Sequence, residues 1–483
     1  MGNTNSRSRR LAVAPTVPEV EIDLDEFRRA GHRAIDMVAD YLASLPERTV
    51  QPNVEPGSVR AALPTVAPEA PESWESIFAD VESILIPALS NWQSPGWFAY
   101  FPATSAPPAI IGELLSAGFA QQGMLWATSP ACTELETQVM DWLARLCDLP
   151  ERFLSSGTGG GVIQDSASSG SLVALIAARE RVRRRDPDVS LARLVAYTST
   201  QTHSSVVKDA RIAGYGHIRE VAVDDEFAMR PDALAAAIAE DRAAGLVPTL
   251  VCATIGTTSS GAFDPVRAIA NIAQREALWC HVDAAWAGAV GILPEHRLLF
   301  DGLELVDSYL WNPHKWLMVN FDCTAFWVAD RRELVSTFSI VPAYLRNDAS
   351  ASGDVIDYRD WQVPLGRRFR ALKLWITLRA FGAEALRAHL REHIALAVEL
   401  EAWLVNDVRF EIAAPRSLAL ICFAHRDGDA ATQRLVDALN ATGRVYLGTS
   451  RLHDRLVIRV AIGSPYPVAD RVRVLQDLID QHG

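Results

Sequence analysis

The chain reads as an α/β protein whose larger part is a mostly parallel sheet covered by helices on both faces. Three observations carry that expectation. From about residue 107, short apolar runs alternate with helical stretches: 191–199 (LARLVAYTS), 248–256 (PTLVCATIG), 278–286 (LWCHVDAAW), 308–314 (SYLWNPH) and 323–330 (CTAFWVAD). Within these runs apolar residues are near-continuous rather than alternating, as in strands buried on both sides. Their polar residues fall at the carboxyl ends, where the loops of such sheets bind ligands. His203, Thr257, Thr258, Asp283 and Lys315 share that rim.

The remaining elements follow in order. Residues 1–22 read as a flexible tail. Its MGNTNS start fits the loose pattern M-G-x-x-x-[ST], though a single acyl chain anchors only marginally and a polar tail is the plainer reading. Residues 23–45 space Phe27, Ile35, Val38 and Leu42 as an amphipathic helix does. The Pro-rich stretch 52–72 reads as an extended connector. Residues 73–89 open on a Ser with a Glu close behind, the pattern of a capped helix. Beyond 370 a long helical stretch leads to strand-like pieces at 416–424 and 455–462 and a closing helix. The expected division is therefore a helical segment 23–106, a large domain 107–372 and a small α+β domain 373–483.

Composition narrows the function. A net charge of −13 argues against a nucleic-acid partner, and RVRRR at 181–185 reads as a solvated helix end. No uninterrupted apolar stretch approaches the ~18–20 residues of a membrane span. Six cysteines without a C-x-x-C pair, behind an N-terminus with no signal-peptide core, point to reduced thiols in a cytoplasmic setting, with no metal site.

Chemistry concentrates around NPHKWLMVNFDC (312–323), where Lys315 sits in an apolar, aromatic run. An unpaired buried ammonium costs several kcal/mol. Alone, Lys315 would be a snorkelling lysine and Asp283, in HVDAAWAG, a structural aspartate. Placed on two successive strand ends they form a pair: an amine able to condense with an aldehyde, and a carboxylate able to face a ring nitrogen. Those are the two protein groups pyridoxal 5'-phosphate requires. The Gly- and Ser-rich stretch 155–179 leads into a helix, and Ser166, Ala167 and Ser168 at that junction suit a phosphate. Thr257, Thr258 and Asn312 add hydroxyl and amide donors. His203, between a strand and a helix, offers a flat imidazole to stack on the cofactor ring.

These motifs, with SPACTELE (129–136), HSS and YFP (100–102), resemble the group II pyridoxal-phosphate decarboxylases, and among them the aromatic-L-amino-acid decarboxylase group. The resemblance runs from about residue 23 to the C-terminus. It implies an aspartate-aminotransferase-like fold (fold type I) with a seven-stranded sheet. It also implies a homodimer wrapped by segment 23–106, with active sites shared between subunits. Carried over by motif, Lys315 is the cofactor-bound lysine, Asp283 the pyridinium partner, His203 the stacking base and His314 the residue preceding the lysine. Ser166, Ala167, Ser168, Thr258 and Asn312 match cofactor-anchoring positions. Tyr344, in the Ala-, Ser- and Gly-rich stretch 339–353, matches the catalytic tyrosine of a mobile loop.

Trp92, Tyr100, Phe101 and Pro102 match an aromatic substrate pocket, and Gly353 matches a position that favours indole substrates in plant enzymes. Gln122 and Met124 stand in the segment lent by the neighbouring subunit, where relatives carry an aliphatic residue and a phenylalanine. Ala103 replaces a threonine of the animal enzyme. The expected reaction is decarboxylation of an aromatic L-amino acid, tryptophan or 5-hydroxytryptophan foremost, to the arylalkylamine. The alternative on the same scaffold is oxidative conversion to an arylacetaldehyde. Relatives of that kind carry phenylalanine or asparagine where this chain keeps Tyr344 and His203.

Overall fold

The computed structural model describes residues 22–340, 349–350 and 355–483. Its contacts divide the chain into two units, Met1–Ser44 with Pro56–Pro87, and Leu45–Glu55 with Ala88–Gly483.

In the first unit the expected amphipathic helix spans Leu24–Ser44, with Phe27, Ile35 and Val38 exposed along its apolar stripe. The Ser73 hydroxyl caps the helix Trp74–Asp80, accepting from Ser76 N–H at 3.2 Å. The Pro-rich connector departs from its extended reading at one point. Ser58–Ala62, five residues free of proline, close a short helix.

In the second unit a seven-stranded sheet is built from β1 (Gly160–Gln164), β2 (Leu194–Ser199), β3 (His217–Val221), β4 (Val247–Thr254), β5 (Trp279–Asp283), β6 (Ser308–Trp311) and β7 (Thr324–Val328). The order is β1-β7-β6-β5-β4-β2-β3, and every pairing is parallel except those of β7 with β1 and β6. The antiparallel β7 has a local cause. Residues 312–323, which join it to β6, hold only the four-residue helix Pro313–Trp316, too little chain for a covered parallel crossover.

Two strands of this sheet escaped the sequence reading. β3 lies at an edge and is half exposed, so it lacks an apolar run. β1 is hidden in glycines that read as a loop. A Cβ at Gly161 would stand 2.6 Å from Met140 Cε and 2.7 Å from Trp327 Nε1, so only a glycine strand fits between its neighbours.

A second, antiparallel sheet, ordered β10-β11-β9-β8, comprises β8 (Phe410–Ser417), β9 (Leu420–His425), β10 (Gly448–Leu452) and β11 (Arg455–Ala461). The run 416–424 therefore spans a hairpin turn as well as a strand. The helix Arg370–Asn406 leads into this sheet and is interrupted at Gly382, whose φ of 72° and ψ of 160° break the helical path.

The motif SPACTELE finds its physical role here. Glu136, on the helix Pro130–Leu146, pairs with Arg367, and both side chains are 1% exposed. Its Oε1 also accepts from Ile163 N–H at 2.8 Å, which ties β1 to the helix below it. Glu136→Ala leaves Arg367 as a buried cation without that carboxylate and should destabilise the chain by about 3–5 kcal/mol. Urea unfolding of the variant beside the unsubstituted protein measures the loss.

Candidate active site

The carboxyl ends of β4, β5 and β6 converge on a cavity of about 230 Å³. Parallel pairing sets the ends side by side: Thr254 lies opposite Asp283, and Asp283 opposite Leu310. Asp283 ends β5, is 4% exposed, and accepts from Ala285 N–H at 2.9 Å. Among the described residues its second oxygen takes no hydrogen bond.

Lys315 enters from the short helix after β6, where Pro313 takes the first turn and Lys315 N–H donates to the Asn312 carbonyl at 3.0 Å. Its Nζ stands 5.4 Å from the Phe101 ring centroid. Burial pushes its ammonium below the usual lysine range, Asp283 opposes that shift, and Arg459 adds to it. An amine so placed is more readily deprotonated and nucleophilic.

His203 caps the helix Ser204–Ile212, where its Nδ1 receives Ser205 N–H at 3.2 Å. A neutral imidazole bonded in that way carries its proton on Nε2. Burial first, then Lys315, holds it below the usual imidazole range, with Asp283 acting the other way. His314 is buried, and its Nδ1 meets the Cys323 carbonyl at 2.7 Å and the Cys323 N–H at 3.0 Å. Burial, then Lys315, takes it down to about 3.

Another part of the cavity offers the donors an anion takes. Ser166 caps the helix Ala167–Arg185 by accepting from Ser169 N–H at 3.2 Å, and the first backbone bond of the helix comes from Gly170. The N–H groups of Ala167 and Ser168 have no partner among the described residues, and they stand where the helix dipole favours negative charge. Asn312 spends its Oδ1 on the Thr324 hydroxyl at 2.8 Å, and Thr258 lines the same cavity. Thr257 does not join them. It is fully buried, and its hydroxyl serves the turn through Ser260 and Ala262 N–H.

An anion site, an aromatic-walled slot and a carboxylate in sequence, with an amine between them, fit a phosphorylated heterocyclic aldehyde. The chain matches the family described as pyridoxal-dependent decarboxylase conserved domain over residues 56–426. It belongs to that family.

The decarboxylase is 45% identical over 453 residues to the aromatic-L-amino-acid decarboxylase of Rattus norvegicus, covering 92% of this chain and 94% of the other. It is 43% identical over 471 residues to a phenylacetaldehyde synthase of Arabidopsis thaliana, at 95% and 96% coverage. Among solved structures, Oryza sativa TDC with PLP and tryptamine superposes with a TM-score of 0.94 at 40% identity, covering 96% and 99%. The cofactor of this decarboxylase is pyridoxal phosphate.

Of the residues singled out in the sequence, the cavity gathers Lys315, Asp283, His203, His314, Ser166, Ala167, Ser168, Thr258, Asn312 and Phe101. Trp92 and Tyr100 form a half-open aromatic shelf beside Phe101 in the chain, their ring centroids 5.6 Å apart. Pro102 packs against Gly463. Gln122 lines a separate cavity with Arg367–Arg370, and Met124 O accepts from Arg359 N–H at 3.2 Å, so neither enters the cavity of its own chain. Tyr344 and Gly353 lie outside the described residues.

Sequence reasoning missed two residues. Trp286 stacks on Phe101 at 4.4 Å and walls the cavity; its position three residues after Asp283 was the available signal. Arg459, from β11, is 5% exposed, reaches the Tyr100 carbonyl at 3.3 Å and lies over the Phe101 ring at 5.1 Å. Its Nε and Nη2 are buried without a hydrogen-bond partner among the described residues. No sequence signal marks it, because 358 residues separate it from Phe101 and only the fold brings them together.

Buried neutral histidines make stability pH-dependent. His314 lies near 3 and His281 near 4, both lowered chiefly by burial from an ordinary value near 6.5. Between those values the unfolded chain binds protons that the folded chain does not, so stability falls as pH falls through that window. Each histidine should cost about 2 kcal/mol at pH 5 relative to neutrality. Denaturant midpoints at pH 7 and pH 5 test the sign.

Proposed function

We propose that this enzyme removes the α-carboxylate of an aromatic L-amino acid, releasing carbon dioxide and the arylalkylamine. One observation carries the reading: Lys315, Asp283, His203 and the unspent N–H groups of Ala167 and Ser168 line one cavity walled by Phe101 and Trp286. The names of the relatives support the substrate class, since the rat protein is an aromatic-L-amino-acid decarboxylase.

When bound, pyridoxal phosphate supplies the electron sink for the pair left on the α-carbon as carbon dioxide departs. The chain's own residues set up that chemistry. Ala167 and Ser168 N–H groups, with Thr258 and Asn312, would hold the phosphate at the helix N-terminus. Lys315 Nζ is the amine that would hold the cofactor through its aldehyde. Asp283, buried at the end of β5, would hold a proton on the cofactor's ring nitrogen. His203 would lie against the cofactor ring, with its Nε2–H available to the substrate carboxylate. Phe101, Trp92, Tyr100 and Pro102 receive the aromatic side chain and exclude water from it. On sequence grounds Tyr344 delivers the proton to the α-carbon.

The working form proposed is a homodimer, with Gln122 and Met124 lent to the partner's site, and on sequence grounds Gly353 favours an indole substrate. Ile111, Leu114 and Phe119, 42–55% exposed on one helix, are apolar surface of the kind such an interface covers. A cytoplasmic location fits the six free, buried cysteines. Among the described residues no helix is long and apolar enough to cross a membrane.

A second reading is favoured by the Arabidopsis thaliana phenylacetaldehyde synthase at 43% identity: oxygen-consuming conversion to an arylacetaldehyde. One assay separates the two. Tryptophan, 5-hydroxytryptophan, DOPA, tyrosine and phenylalanine are supplied in turn while carbon dioxide, amine, oxygen uptake and hydrogen peroxide are followed. Amine equal to carbon dioxide with no oxygen uptake is expected; peroxide equal to carbon dioxide would select the aldehyde reaction. Lys315→Ala should lose turnover and the visible absorbance of bound cofactor, and surviving turnover would refute the role given to Lys315.

A further inference from the structure

Three aromatic rings stand in one column beside the cavity. Phe101 stacks on Trp286 at 4.4 Å and 16°, and Trp286 stacks on Trp316 at 5.0 Å and 17°. Each is tied to a different part of the site. Phe101 is its wall, Trp286 follows Asp283 by three residues, and Trp316 directly follows Lys315. Stacking alone leaves rings free to slide and tilt, because dispersion has little directional preference. The Trp286 Nε1 is buried without a hydrogen-bond partner among the described residues, so it gives the column no anchor.

The anchor is at the far end. Trp316 Nε1–H donates to His393 Nδ1 at 2.9 Å, with the two ring planes 3° from parallel. His393 is 1% exposed, on the part of the helix Arg370–Asn406 that follows the break at Gly382. Accepting at Nδ1 leaves the proton on Nε2, and the ring also bonds the Ser464 backbone. The Ser464 hydroxyl donates to the Gln93 carbonyl at 3.0 Å. Gln93 in turn holds Ser105 N–H at 3.0 Å and the Ala103 carbonyl. Thr104 N–H closes the circuit on the His314 carbonyl at 3.0 Å. One imidazole therefore connects the lysine helix, the aromatic column and the segment carrying Phe101.

We infer that His393 is a positioning residue for the reaction: by accepting the Trp316 N–H it fixes the column and with it the approach of Lys315 Nζ. It touches neither cofactor nor substrate, and it rests on the reading of Lys315 as the cofactor-holding amine. Losing the bond frees Trp316, which directly follows Lys315, while Phe101 stands at the opposite end of the column, so the effect belongs chiefly in kcat.

The test uses His393→Phe, which keeps a ring without the acceptor, Trp316→Phe, which keeps a ring without the donor, their double variant, and His393→Asn, which returns an acceptor oxygen. In the holoenzyme each single Phe variant should lower kcat about tenfold, the effect of one buried hydrogen bond, with KM nearly unchanged. Each should move the pH midpoint of the bound cofactor's visible absorbance in the same direction. The double variant should lose no more than the worse single variant, and His393→Asn should recover most of kcat and the original midpoint. An unmoved midpoint with unchanged kcat in His393→Phe overturns the inference, as do losses that multiply in the double variant. Should His393→Phe fail to fold, Trp316→Phe decides by the same two readouts. Lys315→Ala is run beside them. If it keeps turnover the parent reading fails; if it is inactive while the other variants behave normally, only the role of His393 fails.

Discussion

A half-buried amine beside a buried carboxylate is the constraint around which this molecule is arranged. Lys315 lies among Phe101, Trp286 and His314, surroundings that disfavour its charge, and Asp283 and Arg459 pull its proton affinity in opposite directions. Such a group is unstable as an isolated ion. The fold tolerates it because a four-residue helix, opened by Pro313, delivers the side chain inward at the one place where β7 turns back on β6. A conventional covered crossover there would put a long helix where the lysine now enters.

The same economy governs the rest of the cavity. Parallel strands end together, so Thr254, Asp283 and the segment after β6 meet without long loops. At the end of the cavity lined by Ser166, Ala167 and Ser168, two unspent N–H groups and a helix dipole favour an anion without a basic side chain. That matters beside Lys315: a further cation would compete for Asp283 and raise the cost of keeping the amine buried. Arg459 is the exception, and it is held off by the Tyr100 carbonyl and the Phe101 ring.

Polar groups buried below the site keep the strand ends in place. Glu136 with Arg367 fastens β1, and Asp264, raised to about 6 by burial, accepts Thr254 N–H and Met229 N–H at 2.7 Å each. Each of these groups is costly alone and stabilising in company, so the scaffold is stiff where the chemistry requires alignment. The aromatic column running from Phe101 to Trp316 extends that stiffness toward the second sheet.

Much of this was legible in the amino-acid order itself. Near-continuous apolar runs marked β2, β4, β5, β6 and β7, because strands covered on both faces have no polar side to show. A lysine in NPHKW, an aspartate in HVDAAW and a Ser-rich helix start marked the cavity, because each is out of keeping with its apolar neighbours. Tertiary structure alone decided the rest. β1 reads as a loop until Met140 and Trp327 are seen to leave no room for a Cβ at Gly161. The direction of β7 depends on how much chain the turn before it can spare. Arg459 and His393 look like ordinary residues of a strand and a helix, since a contact across hundreds of residues leaves no local pattern to read.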